Sequence, residues 1–155
     1  MKRWIGIDPG ASGSIAMIPE EGKIELCPLD KDLLRIKCQE WCMDDCFCIL
    51  EHVTSSPQMG VTSAFSFGEN FGFIKGMLEA FYMPYELVKP QKWKKAMSCL
   101  LGRDATPKQK KEKDLEVAKR LFPQVSFRRT PRCKTDWYDA ADAILLAEYG
   151  RRLYK

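Results

Sequence analysis

Four acidic residues, Asp8, Glu51, Asp139 and Asp142, stand where a carboxylate is costly unless a cation needs it. Asp8 ends the apolar run Trp4-Ile5-Gly6-Ile7 and opens the turn Pro9-Gly10-Ala11-Ser12-Gly13, while Glu51 follows Phe47-Cys48-Ile49-Leu50. Asp139 and Asp142 interrupt an alanine- and leucine-rich stretch, three residues apart and therefore on one helical face. Like charges so placed repel unless a cation lies between them, and an unpaired buried carboxylate is strongly disfavoured. The set predicts a divalent-metal site of hard oxygen ligands. If the helix of Asp139 and Asp142 packs beside the strands of the other two, four acids converge at one end of a sheet. That geometry suits two Mg²⁺ (or Mn²⁺) ions roughly 4 Å apart, one activating water and the other stabilising the leaving oxygen of a phosphodiester.

The elements needed to position them can be read from periodicity. Ile5–Ile7, Ser14–Ile18 and Lys23–Cys27 read as strands joined by a glycine-rich turn and by Glu20-Glu21-Gly22, an antiparallel meander. Asp30–Asp45 has helical spacing, with Leu33, Leu34, Ile36, Trp41 and Cys42 apolar. Phe47–Leu50 reads as a short buried strand delivering Glu51. Thr54–Ser66 reads as a loop and Phe67–Phe81 as a helix, whose Gly68, Gly72 and Gly76 would let a neighbouring backbone approach closely. Tyr85–Val88 reads as a strand and Gln91–Leu101 as a helix. Lys108–Phe122 reads as a basic helix closed by Pro123, and Asp136–Leu153 as the last helix. The order, β-β-β-α-β-α-β-α-α-α, predicts an α/β fold: a mixed five-stranded sheet flanked by helices, with Asp8 on the central strand and Glu51 on its neighbour.

Composition sets outer limits. A chain of 155 residues, 45% hydrophobic and 30% charged, suits one globular domain over residues 1–155 with one sizeable core. No run approaches the roughly 18 apolar residues of a membrane span, and no secretory signal is evident. A cytoplasmic or other DNA-containing intracellular location is expected. The net charge of +4 hides an asymmetry: residues 1–88 carry 7 basic and 13 acidic side chains, residues 89–155 carry 18 and 8. Acids beside a strongly basic half suit an enzyme that holds metal ions against a polyanion. Seven cysteines without a secretory signal are expected to be free thiols. Cys38, Cys42 and Cys46 recur every four residues, as small core residues sharing one helix face would, and the pattern argues against zinc.

Taken together, Gly6-Ile7-Asp8-Pro9-Gly10, an acid after a mid-chain strand, and Asp139-Ala140-Ala141-Asp142-Ala143 resemble the RuvC Holliday-junction resolvases of the RNase H-like superfamily. The likeness continues through Gly68–Leu78 and Val88–Lys94. Val117-Ala118-Lys119-Arg120-Leu121-Phe122-Pro123 is most similar to the chloroplast and phage-encoded branches. The resemblance implies a homodimer that binds four-way DNA junctions and nicks two opposed strands with two Mg²⁺ or Mn²⁺ ions per active site. It implies Asp8, Glu51, Asp139 and Asp142 as metal ligands, with Asp136 assisting. It also implies a lysine near the scissile phosphate, for which Lys111 is the first candidate and Lys110 the second.

DNA contacts are expected from the basic half. Lys92, Lys94 and Lys95 surround Trp93, Lys108 and Lys110 open the basic helix, and Arg128, Arg129, Arg132 and Lys134 precede the last helix. Such contacts neutralise phosphates with little sequence information. Phe65 or Phe67, near the end of the loop after Glu51, could wedge against an unpaired base. The Cys38–Cys48 segment departs from what the family leads one to expect. Competing readings are a broader nuclease for flaps, forks or RNA–DNA hybrids, a metal-free junction-binding protein with no use for four acids, and an ATPase-type phosphate-binding hairpin at Asp8–Gly13. The last needs a second domain that 155 residues do not supply.

Overall fold

A computed structural model describes residues 1–154. Five strands form one mixed sheet in the order β3-β2-β1-β4-β5. These are β1 (Lys2–Asp8), β2 (Ser14–Pro19), β3 (Glu25–Pro28), β4 (Asp45–Glu51) and β5 (Tyr85–Val88). β1 pairs antiparallel with β2 and parallel with β4, and β4 pairs parallel with β5. The helices are α1 (Lys31–Trp41), α2 (Val61–Ala80), α3 (Pro90–Ala96), α4 (Pro107–Leu121) and α5 (Tyr138–Leu153). This is the mixed α/β architecture predicted. No helix among the described residues is long and apolar enough to cross a membrane.

The central strands are apolar on both faces, and two cores result. Ile5, Ile7, Cys48 and Leu50 face α1 and α2, where they meet Leu34, Trp41, Ile74 and Leu78. On the opposite face Ile49 and Val88 pack with α5, α3 and α4 through Ile144, Trp93 and Val117. α5 can lie on β1 because residue 6 is glycine. A Cβ there would stand 2.0 Å from the Ala143 carbonyl oxygen and 2.5 Å from the Ala147 nitrogen. This contact brings Asp139 and Asp142 over the end of β1.

Several boundaries differ from expectation. α1 stops at Trp41, with Cys42 as its C-cap, so Cys46 and Cys48 belong to β4 and the three cysteines share no helix face. All seven thiols are free. α2 starts at Val61, inside the stretch read as loop, which places Phe65 on a helix rather than a loop tip. α3 ends at Ala96, five residues early, because Ser98 adopts φ 60° and turns the chain away. The close-approach role expected for Gly68, Gly72 and Gly76 is not used within the chain, since a Cβ at each would meet nothing within 4 Å.

Candidate active site

β1 and β4 are parallel neighbours paired Ile7 to Leu50, so the next residues, Asp8 and Glu51, emerge side by side at their carboxyl ends. Both are buried, at 8% and 9% exposure. The Gly10 N–H donates to Asp8 Oδ1 at 3.1 Å, and the turn closes tightly because a Cβ on Gly13 would collide with the Asp8 carbonyl oxygen. The Ser14 hydroxyl, opposite Asp8 in the ladder, donates to the Asp139 carbonyl and pins the start of α5 to β2. Glu51 Oε1 accepts the indole N–H of fully buried Trp93 at 2.9 Å.

Burial and mutual repulsion raise the acids' proton affinities. Burial, and then the charge of Asp8, push Glu51 up to about 7. Asp8 is raised mainly by burial, which outweighs the Gly10 hydrogen bond, with the Asp139 charge adding to it. Asp142 is pushed well above the usual carboxylate range by burial and by a neighbouring acid, Asp114. Asp139, on the first turn of α5, pairs with Lys111 Nζ at 2.9 Å, and Lys111 also feels the charges of Asp142 and Asp8.

Asp114 was not among the candidates from sequence. It lies on the inner side of α4, 1% exposed, ion-paired with Lys94. Its signal was available: one acid at helical spacing from Val117 and Ala118, on the face that must be apolar if α4 packs inward. Lys94 faces inward, among Asp142, Asp114 and Glu51. Burial alone would push its ammonium down, but these charges outweigh it and hold it protonated.

Five carboxylates (Asp8, Glu51, Asp114, Asp139, Asp142) thus stand against two ammonium groups (Lys94, Lys111), and full ionisation leaves three negative charges uncompensated. The Oδ1 atoms of Asp114 and Asp142 are both buried without a hydrogen-bond partner among the described residues. Charge, hard oxygen donors and orphaned acceptors fit a divalent cation. The convergence is nevertheless one of neighbourhood: among the described residues, no three acids close on one point as metal ligands. A bound ion would have to draw the carboxylates inward by side-chain rotation.

The remaining candidates divide. Trp93 is corrected: it is wholly buried and serves as a hydrogen-bond donor to Glu51, so it offers no stacking platform to DNA. Lys94 belongs to the acid cluster rather than to an outer basic surface. Lys92 is exposed and pairs with Glu86 on β5, and Lys108 lies 3.9 Å from Glu112. Lys95, Lys110, Arg128, Arg129, Arg132 and Lys134 are exposed. Asp136 lies just before α5 and pairs with Lys119 at 3.1 Å. Phe65 is 74% exposed, whereas Phe67 is half-buried.

No protein-family model matches the chain, and no curated protein matches its sequence. Solved structures do. Thermus thermophilus RuvC is similar over 97% of this chain and 96% of its own, with TM-score 0.58 and 16% identity. The fold is that of RuvC. T. thermophilus RuvC in complex with Holliday junction substrate is similar over 99% of this chain and 96% of its own, with TM-score 0.57 and 16% identity. The mixed five-stranded sheet expected from the sequence is therefore present, and the likeness in fold spans essentially the whole chain.

Proposed function

We propose that this chain is a single-domain, metal-dependent endodeoxyribonuclease that resolves four-way DNA junctions by paired nicks. The observation that carries the reading is the placement of Asp8 and Glu51 at adjacent carboxyl ends of β1 and β4, beside Asp139 and Asp142 on one face of α5. The RuvC-like fold supports it, one such neighbour being bound to a Holliday junction substrate. Its Val117–Pro123 segment favours the chloroplast and phage-encoded branches.

Asp8, Glu51, Asp139 and Asp142 would hold Mg²⁺ or Mn²⁺. Such ions activate water and stabilise the leaving oxygen of a phosphodiester. Lys111 stands at the open side of the cluster, with its side chain 52% exposed, where its ammonium can reach a phosphate and offset developing charge. Trp93 keeps a proton donor on Glu51 and fixes the carboxylate's orientation. Arg128, Arg129, Arg132 and Lys134 would neutralise phosphates farther along the arms.

A homodimer would place two such sites on opposed strands. α2 is the surface that best fits a second copy. It is apolar around most of its circumference, and such a helix is normally covered. Val61 and Phe65 are 87% and 74% exposed, Gly68, Gly72 and Gly76 lie open, and Tyr82, just past its end, is 93% exposed. Glycines four apart allow two helices to cross closely. Phe65, at the entrance of this face, is the better-placed wedge for an unpaired base.

The test is cleavage of a synthetic immobile junction with Mg²⁺. Asp8→Asn and Asp142→Asn should abolish nicking while binding persists, because the basic surface is untouched. Normal nicking by either variant would remove the catalytic assignment. Preference for flaps or RNA–DNA hybrids over junctions would replace the substrate by the broader one.

A further inference from the structure

Most lysines of the basic half are already neutralised. Lys92, Lys94, Lys108, Lys111, Lys113 and Lys119 all have carboxylate partners. Lys95, Arg103 and Lys110 have none among the described residues, and all three line one groove of about 610 Å³ between α3 and α4. No acid lines it. Apart from Gln91 and Gly102, the rest of its wall is apolar, formed by Pro90, Cys99, Leu101 and Leu100, the last held 52% exposed. The groove's inner end is Lys94, whose ammonium sits in the carboxylate cluster, so the groove begins where the candidate active site ends.

The wall is built rather than incidental. Ser98 adopts φ 60°, a left-handed conformation that costs a residue with a side chain. That turn lets the Cys99 N–H donate to the Lys94 carbonyl at 2.8 Å and buries Cys99 to 2%. Leu100 is thereby projected outward on a fixed stem beside three unpaired cations. A duplex keeps its bases stacked and offers a protein mainly phosphates and groove edges. An apolar wall flanked by cations instead matches an unstacked nucleotide, with its base on the wall and its phosphates on the charges. The volume is within the roughly 300–1,000 Å³ of small-ligand sites.

We propose that the α3–α4 groove binds single-stranded nucleotides, seating an unpaired base against Pro90 and Leu100 and the adjoining phosphates on Lys95, Arg103 and Lys110. The proposal rests on the nuclease reading only for the origin of the strand, which would be the one leaving the acid cluster. Because the groove does not overlap Asp8 or Asp142, binding can be measured without cleavage.

The experiment is fluorescence anisotropy of a labelled oligothymidylate, in the absence of divalent ions, across a salt series. Lys95→Glu/Arg103→Glu should weaken binding at least tenfold. The slope of log affinity against log salt should fall by about 1.4, as expected for two lost phosphate contacts to a single strand. Leu100→Ser should weaken binding severalfold with the slope unchanged, because a base contact rather than a charge is lost. The charge-matched control Lys23→Glu/Arg35→Glu, on the β2–β3 turn and on α1 and outside the groove lining, should leave oligothymidylate binding within twofold. Unchanged affinity in Lys95→Glu/Arg103→Glu, or an equal loss in the control, would overturn the proposal. A wild-type protein that binds the oligonucleotide through this groove but nicks no junction would overturn the resolvase reading and leave the groove standing.

Discussion

The indole N–H of Trp93 donates to Glu51 Oε1 at 2.9 Å inside the protein, tying α3 to the end of β4. The bond favours the charged carboxylate and opposes the burial that pushes Glu51 up to about 7. Trp93→Phe removes this donor together with part of the indole ring, leaving a cavity in a fully buried site. Glu51 should then titrate higher, and nicking that needs its carboxylate should have its acidic limb moved to higher pH. The fold should lose about 2–4 kcal/mol, the cost of an unpartnered buried acceptor added to that of the cavity. A pH–rate profile superimposable on that of wild type would separate Glu51 from the reaction.

Glu51 also predicts how stability depends on pH. Its folded-state value, about 7, lies above the 4.5 of an unperturbed glutamate, so the folded protein binds the proton more tightly than the unfolded chain. The associated stability is fully present below pH 4.5 and is lost as pH rises through about 7. Its size is on the order of 3 kcal/mol. Asp8 and Asp142, raised in the same direction, add to the trend. Urea melts without divalent ions should show unfolding free energy falling across this window. Glu51→Gln should flatten that fall and stabilise the protein at pH 8. An unaltered slope in Glu51→Gln would place the effect on other groups.

How much of this was legible in the sequence depended on how local each signal is. β5 was read at its full extent, Tyr85–Val88, because a short stretch with Tyr85, Leu87 and Val88 bounded by Pro84 and Pro90 leaves little choice. Asp8 and Glu51 were legible because an acid ending a buried strand conflicts with its neighbours in the chain. Asp114 was not: the lysines on either side make its helix look solvated, and its burial depends on where α3 and α5 lie. Trp93 suffered the reverse error. Flanking lysines suggested an exposed aromatic, while helical geometry turns it to the opposite face. The start of α2 was lost because Gly60, Thr62 and Ser63 resemble a loop, whereas Gly60 is the N-cap and the helix begins at Val61 with an exposed first turn.

Two glycines should respond oppositely to alanine. A Cβ at position 6 would stand 2.0 Å from the Ala143 carbonyl oxygen, and backbone cannot give way as a flexible side chain can. Gly6→Ala should therefore force α5 off β1, at a cost of about 3 kcal/mol or more in line with severe overpacking. Nicking should fall with it, since α5 carries Asp139 and Asp142. Gly72→Ala adds a methyl group into open space on a helix and should stabilise the isolated chain by about 0.5–1 kcal/mol. If α2 is the dimer face, the same substitution should weaken self-association in sedimentation equilibrium. A Gly72→Ala protein that dimerises as tightly as wild type would move the interface elsewhere.

Lys94 and Asp114 should be strongly non-additive. Asp114 is 1% exposed and Lys94 is its only ion-pair partner among the described residues. Lys94→Met strands that carboxylate beside Asp142, whose own Oδ1 already lacks a partner. Breaking a buried pair from one side typically costs about 3–5 kcal/mol. Asp114→Asn alone should cost less, because Lys94 keeps the charges of Asp142 and Glu51 around it. Lys94→Met/Asp114→Asn removes both charges, so its stability should exceed that of Lys94→Met alone. The double variant should nevertheless remain impaired in nicking, because Lys94 also offsets Asp142 and Glu51. Thermal melts of the four proteins close the cycle. Additive losses would mean that Asp114 finds solvent or another cation in the folded chain.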